Sequence, residues 1–186
     1  CFMTGRAHHL LPLLRGTLYL PYATALRMGN FGYQNSAQKK LGIHYNDLTG
    51  YLDGLQKAVK TPYLPFSRLG LDDATGEPIQ INDHVLQIEN EYYSLVRPKQ
   101  VPQEGETPSQ ALASRGIGYV ELRAVDVNPY SPIGIDEDTA GFLEVLALYC
   151  LLQDSPALLD AEQSIIENNQ AEVVNRGRAP NAHIQE

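Results

Sequence analysis

GYVELRAVDVNPYSPIG, residues 118–134, is the stretch whose reading decides the fold. Side chains on a strand alternate between faces, so Tyr119, Glu121 and Arg123 point one way while Val120, Leu122 and Ala124 point the other. An ordinary half-buried strand alternates apolar with neutral polar residues. Here a carboxylate and a guanidinium share one ordered face, which fits either a cross-strand charge ladder or a lined cavity. Two prolines and a glycine in the trailing NPYSPIG stop further pairing.

Upstream, HVLQIENEYYSLVRP carries a second alternation, and it predicts a strand over His84–Val96. Leu86, Ile88, Asn90 and Tyr92 would share one face, and Gln87, Glu89, Glu91 and Tyr93 the other. A short strand is also expected at Thr17–Leu20, broken by Pro21. Residues 1–16 read as loop, where the pair His8 and His9 lacks further ligands at metal spacing. Residues 63–83 read as loop around a turn at DDATGEP.

Helices are marked by period and caps. In NDLTGYLDGLQKAVKTP, residues 46–62, Leu48, Tyr51, Leu52, Leu55 and Val59 fall on one helical face, with Asn46 or Asp47 to cap it and Pro62 beyond its end. A short helix is expected after Pro108. DEDTAGFLEVLALYCLLQ, residues 136–153, has an acidic first turn suited to the helix dipole. It is apolar nearly all round, which predicts burial or packing on a sheet, with Cys150 as a small core residue. A more polar helix is expected between Pro156 and Arg178. Strands and helices in this order predict an α+β fold, an antiparallel sheet packed by helices.

The 186 residues fit one domain or part of one, and 43% apolar content suffices for a packed core. Net charge is −8, from 22 acidic and 14 basic residues, which argues against a nucleic-acid partner, since that needs a clustered basic surface. A few pocket arginines can still act locally on anionic small molecules. No apolar run is long enough to span a bilayer and no signal segment is present, so a cytoplasmic protein is expected. The opening Cys-Phe-Met-Thr-Gly-Arg does not look like a natural start; a piece of a longer polypeptide is expected.

Two polar strand faces admit two readings. One is a solvated outer face with ion pairs worth a few tenths of a kcal/mol each. The other is a site for a divalent cation and phosphate: a carboxylate suits a hard cation, and the planar fork of arginine suits phosphate. No GxxxxGK[ST] loop supports a P-loop enzyme, and no GxSxG supports a serine nucleophile.

TLYLPYATALRMGNFGYQN, LGIHYNDLTGYLDGLQKAVKTP, LQIENEYYSLVRPK and GIGYVELRAVDVNPYSPIGID together resemble the proteobacterial type of the glutamate–cysteine ligase (γ-glutamylcysteine synthetase) family. The resemblance runs from residue 17 to 152, with 153–186 helical and loosely matched. It implies that residues 1–186 are a fragment of a single catalytic domain, related to the catalytic fold of glutamine synthetase, whose antiparallel sheet curls into a funnel around the reactants. It further implies ATP-dependent joining of the L-glutamate γ-carboxylate to the amine of L-cysteine through γ-glutamyl phosphate, the first step of glutathione synthesis. The implied cofactors are ATP and Mg²⁺ (or Mn²⁺), and the partners are small molecules, with no nucleic acid and no membrane.

By the same resemblance Glu121 is a metal carboxylate, Arg123 stabilises the transferred phosphoryl group and Arg27 faces the anionic substrate. Tyr33 and Tyr93 hold the cysteine substrate. Glu89 and Glu91 acquire no role. The family's other metal carboxylates and its metal-binding histidine belong before residue 1, and His44 and His84 do not match that histidine, so the segment alone is expected to be inactive. A non-catalytic remnant, or a related ligase for another amine, are the alternatives.

Overall fold

A computed structural model describes residues 10–29, 38 and 41–185. It divides into two compact units, one formed by Gln34–Arg123 and the other by the two flanking segments, Cys1–Tyr33 and Ala124–Glu186. The fold is α+β, with two separate two-stranded antiparallel sheets among the described residues in place of one larger sheet.

The unit spanning Gln34–Arg123 is built on helix α1, Leu48–Ala58, whose Asp47 N-cap accepts from the Gly50 N–H at 2.7 Å. Tyr51, Leu55 and Ala58 recur at helical spacing and are buried with Leu86, Tyr92 and Leu112; this cluster is the core. Where a loop is expected over 63–83, a short helix α2 forms at Leu64–Leu69, with proline in its first turn. The turn after it closes on Asp73, whose Oδ1 accepts from the backbone of Thr75 and Glu77.

The expected strand over 84–96 does not form. Glu89–Glu91 is a 3₁₀ turn, and the strand β3 begins only at Val96 and runs to Lys99. Local hydrogen bonds win over the ladder here. Glu91 accepts from the Gln87 N–H at 2.7 Å, and Glu89 accepts from the Ser109 N–H at 2.9 Å and its hydroxyl at 2.5 Å. Ser109 opens helix α3, Pro108–Arg115, which Thr107 and Gln110 close with a capping box.

Strand β4, Tyr119–Leu122, pairs antiparallel with β3, setting Arg97 opposite Glu121 and Lys99 opposite Tyr119. Val96, Val120 and Leu122 on the other face are 43%, 55% and 44% exposed, whereas Arg97 is 5% exposed. The ionisable face therefore packs inward toward α1 and α3, and the apolar face is left bare among the described residues.

In the flanking unit, Leu11–Leu14 forms a strand β1 that the loop reading of residues 1–16 misses; it pairs with β2, Thr17–Tyr19, across Arg15-Gly16. Gly16 takes φ +78°, which a tight hairpin requires. Helix α4, Glu137–Leu152, starts on Asp136, which accepts from the Thr139 N–H. Contrary to its apolar composition it contains no buried residue, and Cys150 is exposed, not a core residue. Helix α5, Asp160–Arg176, holds the segment at 22–24: the Thr24 N–H donates to Val174 O at 2.9 Å, and the Arg178 guanidinium to Ala23 O.

Candidate functional site

Glu121 and Arg123 meet where the alternation places them. Arg123 Nε lies 3.5 Å from Glu121 Oε1, and the Arg123 guanidinium sits 5.3 Å from the centre of the Tyr93 ring, a cation–π contact. Three of the five residues singled out from the sequence thus converge. Glu121 Oε2 is buried and has no hydrogen-bond partner. A buried carboxylate oxygen left unsatisfied is costly, and it marks a place where a cation or donor completes the site.

Tyr93 is fixed by its main chain. Its N–H donates to Gln38 Oε1 at 2.9 Å, and Gln38 Nε2 donates to Tyr93 O at 3.1 Å. The side-chain amide of Gln38 therefore grips both backbone groups that set where the Tyr93 ring points. No sequence signal marks this glutamine.

Beneath the β3–β4 pair, a cavity of about 200 Å³ is lined by Tyr51, Glu89, Arg97, Lys99, Ser109 and Tyr119 among others. Arg97 extends the polar face by one cross-strand step from Glu121, one residue beyond the strand that the alternation predicts. Burial pushes the Tyr51 hydroxyl up to about 12, the Tyr45 ring adding to this while the Arg97 charge opposes it. Burial likewise raises Tyr92, which shares a hydroxyl contact of 3.3 Å with Tyr45. Both phenols stay protonated at neutral pH, so neither acts as a base there.

Arg27 belongs to the flanking unit. Asp126 grips its backbone: the Leu26 N–H donates to Oδ2 at 2.8 Å and the Arg27 N–H to Oδ1 at 2.6 Å. Arg27 Nε is buried without a partner. Tyr33, with His8 and His9, lies outside the described residues. Glu89 and Glu91 accept the local hydrogen bonds given above, from Ser109 and from the Gln87 N–H, which accounts for both without a ligand.

A divalent cation requires several convergent oxygen ligands. Among the described residues no group of three or more His, Cys, Asp or Glu side chains could hold one. Glu121 Oε2 fits as a single ligand of such an ion, and the described residues do not complete its shell. No described helix is long and apolar enough to cross a membrane.

A glutamate–cysteine ligase family model matches residues 1–173. The chain is 50% identical over 184 residues to the glutamate–cysteine ligase of Azotobacter vinelandii, covering 99% of this chain and 34% of that protein. For Pseudomonas aeruginosa glutamate–cysteine ligase the identity is 51%, with the same coverage. A crystal structure of the Francisella tularensis glutamate–cysteine ligase in complex with AMP superposes with a TM-score of 0.82 at 41% identity, covering 89% of this chain and 33% of that one. The bifunctional glutathione synthetase of Pasteurella multocida gives 0.60 at 25% identity, covering 89% and 17%. The chain spans about a third of the length of the curated relatives it matches. Half of its aligned positions are identical to theirs, and the Glu121–Arg123 face lies inside the matched region: this chain belongs to the glutamate–cysteine ligase family.

Proposed function

We propose that this chain supplies part of the catalytic domain of an ATP-dependent ligase that joins the γ-carboxylate of L-glutamate to the amine of L-cysteine. The observation that carries this reading is the inward-facing pair Glu121–Arg123, held against Tyr93 on the polar face of β4. Family membership and the AMP bound by the Francisella tularensis relative support an adenine nucleotide as the energy source. Both units of the chain are read as parts of one catalytic domain.

A carboxylate resists attack by an amine because its oxygen is a poor leaving group. In the first step a glutamate γ-carboxylate oxygen attacks the terminal phosphorus of ATP, the bond to ADP breaks, and an acyl phosphate forms. The Arg123 fork donates to the equatorial oxygens of the phosphoryl group, where negative charge must be held in place. In the second step the cysteine nitrogen attacks the acyl carbon; phosphate leaves with the former carboxylate oxygen, and the nitrogen loses a proton. Arg27 pairs with a substrate carboxylate, and the hydroxyls of Tyr93 and Tyr33 donate to the cysteine carboxylate. Magnesium or manganese, when bound, supplies charge to the nucleotide phosphates, with Glu121 Oε2 as one ligand. A cytoplasmic location accompanies this reading, since the thiol substrate stays reduced there.

The test is phosphate release by the full-length polypeptide with ATP and each substrate in turn. Release that depends on glutamate and cysteine together is expected. Equal release with other amines would remove cysteine from the reading, and none with any glutamate-plus-amine pair would remove the ligase.

Asp126 provides a second handle. Asp126→Ala strips both acceptors from the Leu26–Arg27 backbone while leaving the Arg27 side chain intact. A displacement of about 1 Å at a positioning group can cost on the order of 100-fold. The glutamate KM of the full-length polypeptide is expected to rise about 10- to 100-fold with kcat changed less. An unchanged glutamate KM would detach Asp126 from substrate positioning.

A further inference from the structure

We propose that Arg97, with Lys99, forms a phosphate subsite in the cavity under β3, a second cationic anchor for the nucleotide beside Arg123. The inference rests on the ligase reading for the identity of its natural ligand, but not for the existence of the subsite.

Arg97 is 5% exposed, and its Nε is buried without a hydrogen-bond partner. Among the described residues the ion pairs are His84–Asp83, Arg115–Glu106, Arg123–Glu121 and Arg176–Glu172; Arg97 is in none of them. Among the described residues its guanidinium faces the Tyr51 hydroxyl, which burial keeps neutral. A neutral phenol satisfies one donor and supplies no counter-charge, and Glu121, opposite in the β-ladder, makes its ion pair with Arg123 and none with Arg97. Burying a guanidinium without an anion is strongly unfavourable, because neither water nor a counter-charge replaces its lost hydration. A bound oxyanion removes that penalty.

The cavity has the room and the sign for it. Its volume of about 200 Å³ is well beyond the roughly 10–15 Å³ that admits a single water. Lys99 lines it from the same face of β3, two residues along. Among the described residues the one carboxylate in its wall, Glu89, spends both oxygens on Ser109. The start of α3 is thereby already capped, and the cationic donors lining the space are Arg97 and Lys99. Two cations facing one space favour a phosphate over a singly charged carboxylate. In the β-ladder Arg97 stands opposite Glu121, so an anion on Arg97 lies one cross-strand step from the residue proposed to hold the phosphate-bound cation.

The test uses the full-length polypeptide and two arms. In the first, the KM values for ATP, glutamate and cysteine are measured for the wild type, Arg97→Gln, Arg97→Lys and Lys99→Gln. Loss of one charge-assisted bond corresponds to about 10- to 100-fold, so Arg97→Gln is expected to raise the ATP KM by that factor. The other two constants should stay within about twofold, and Arg97→Lys should recover part of the loss. In the second arm, inorganic tripolyphosphate and orthophosphate are titrated calorimetrically without other substrates. Tripolyphosphate binding that weakens about tenfold or more in Arg97→Gln supports the subsite even if the polypeptide proves not to be a ligase. Weakened orthophosphate binding alone, with the ATP KM and tripolyphosphate unchanged, would overturn the nucleotide assignment. A selective rise in the glutamate KM, or no change in any constant, would overturn the subsite. If Arg97→Gln fails to fold, Lys99→Gln decides by the same readouts: a raised ATP KM supports the proposal, and an unchanged one overturns it.

Discussion

Arg123→Ala in the full-length polypeptide is expected to lower kcat for phosphate release by about 10³-fold or more, with the protein still folded. The size follows from the role. A positioned cation on a transferring phosphoryl group contributes about 10³- to 10⁵-fold in related chemistry, and loss of one fixed donor at a developing charge costs about 10²- to 10³-fold. Stability should change little. The Arg123–Glu121 pair is partly exposed, and such pairs contribute on the order of 0–1 kcal/mol to folding. Arg123→Lys should rescue poorly, because an ammonium cannot reproduce the planar fork stacked beside Tyr93. Glu121→Gln should give a comparable loss, since it removes the charge at the orphaned Oε2 while keeping the shape. Single-turnover phosphate release alongside a thermal melt separates the outcomes. Normal turnover in either variant would reduce this face to a structural ion pair.

That face was legible in the sequence because period two is a property of the strand itself. Tyr119, Glu121 and Arg123 needed no knowledge of their neighbours to be placed on one side. Helix α1 was legible for a similar reason, as Asp47, Tyr51 and Leu55 each carry a local signal. The segment 84–96 was not, because the same alternation is produced by residues whose carboxylates turn to local donors. Glu89 reaches Ser109, 20 positions away, and no pattern within the segment reveals that cap. Arg97 escapes the same alternation, since a strand that ends at Val96 stops one residue short of it. Helix α4 shows the opposite limit. Its composition states that Phe142, Val145 and Leu151 belong against something, yet they are 65%, 66% and 79% exposed. Composition encodes the need for burial but not the covering surface, and the curated relatives are about three times as long as this chain.

Tyr51→Ala carries the largest expected effect on folding, about 3–5 kcal/mol for the unit spanning Gln34–Arg123. Tyr51 is 2% exposed and stands where α1 meets Leu86, Tyr92 and Leu112. Its ring stacks on Tyr45 at 5.4 Å and meets the edge of Tyr92 at 6.1 Å, so truncation loses aromatic contacts as well as apolar area. Tyr51→Phe separates these parts. It keeps the packing and removes only the hydroxyl, at about 1–3 kcal/mol for the donor it leaves unpaired on Arg97. Amide hydrogen exchange in the full-length polypeptide reads both, as the opening free energy of α1 and α3, without requiring the whole protein to unfold in one step. A loss below about 1 kcal/mol for Tyr51→Ala would mean that this core does not hold α1 in place. The two substitutions also test whether core and site are one object. If the hydroxyl orients the Arg97 guanidinium, Tyr51→Phe should raise the ATP KM, and its effect should not add to that of Arg97→Gln. Additive effects would separate them: the phenol would then satisfy only its own burial, and Arg97 would take its direction from β3 alone.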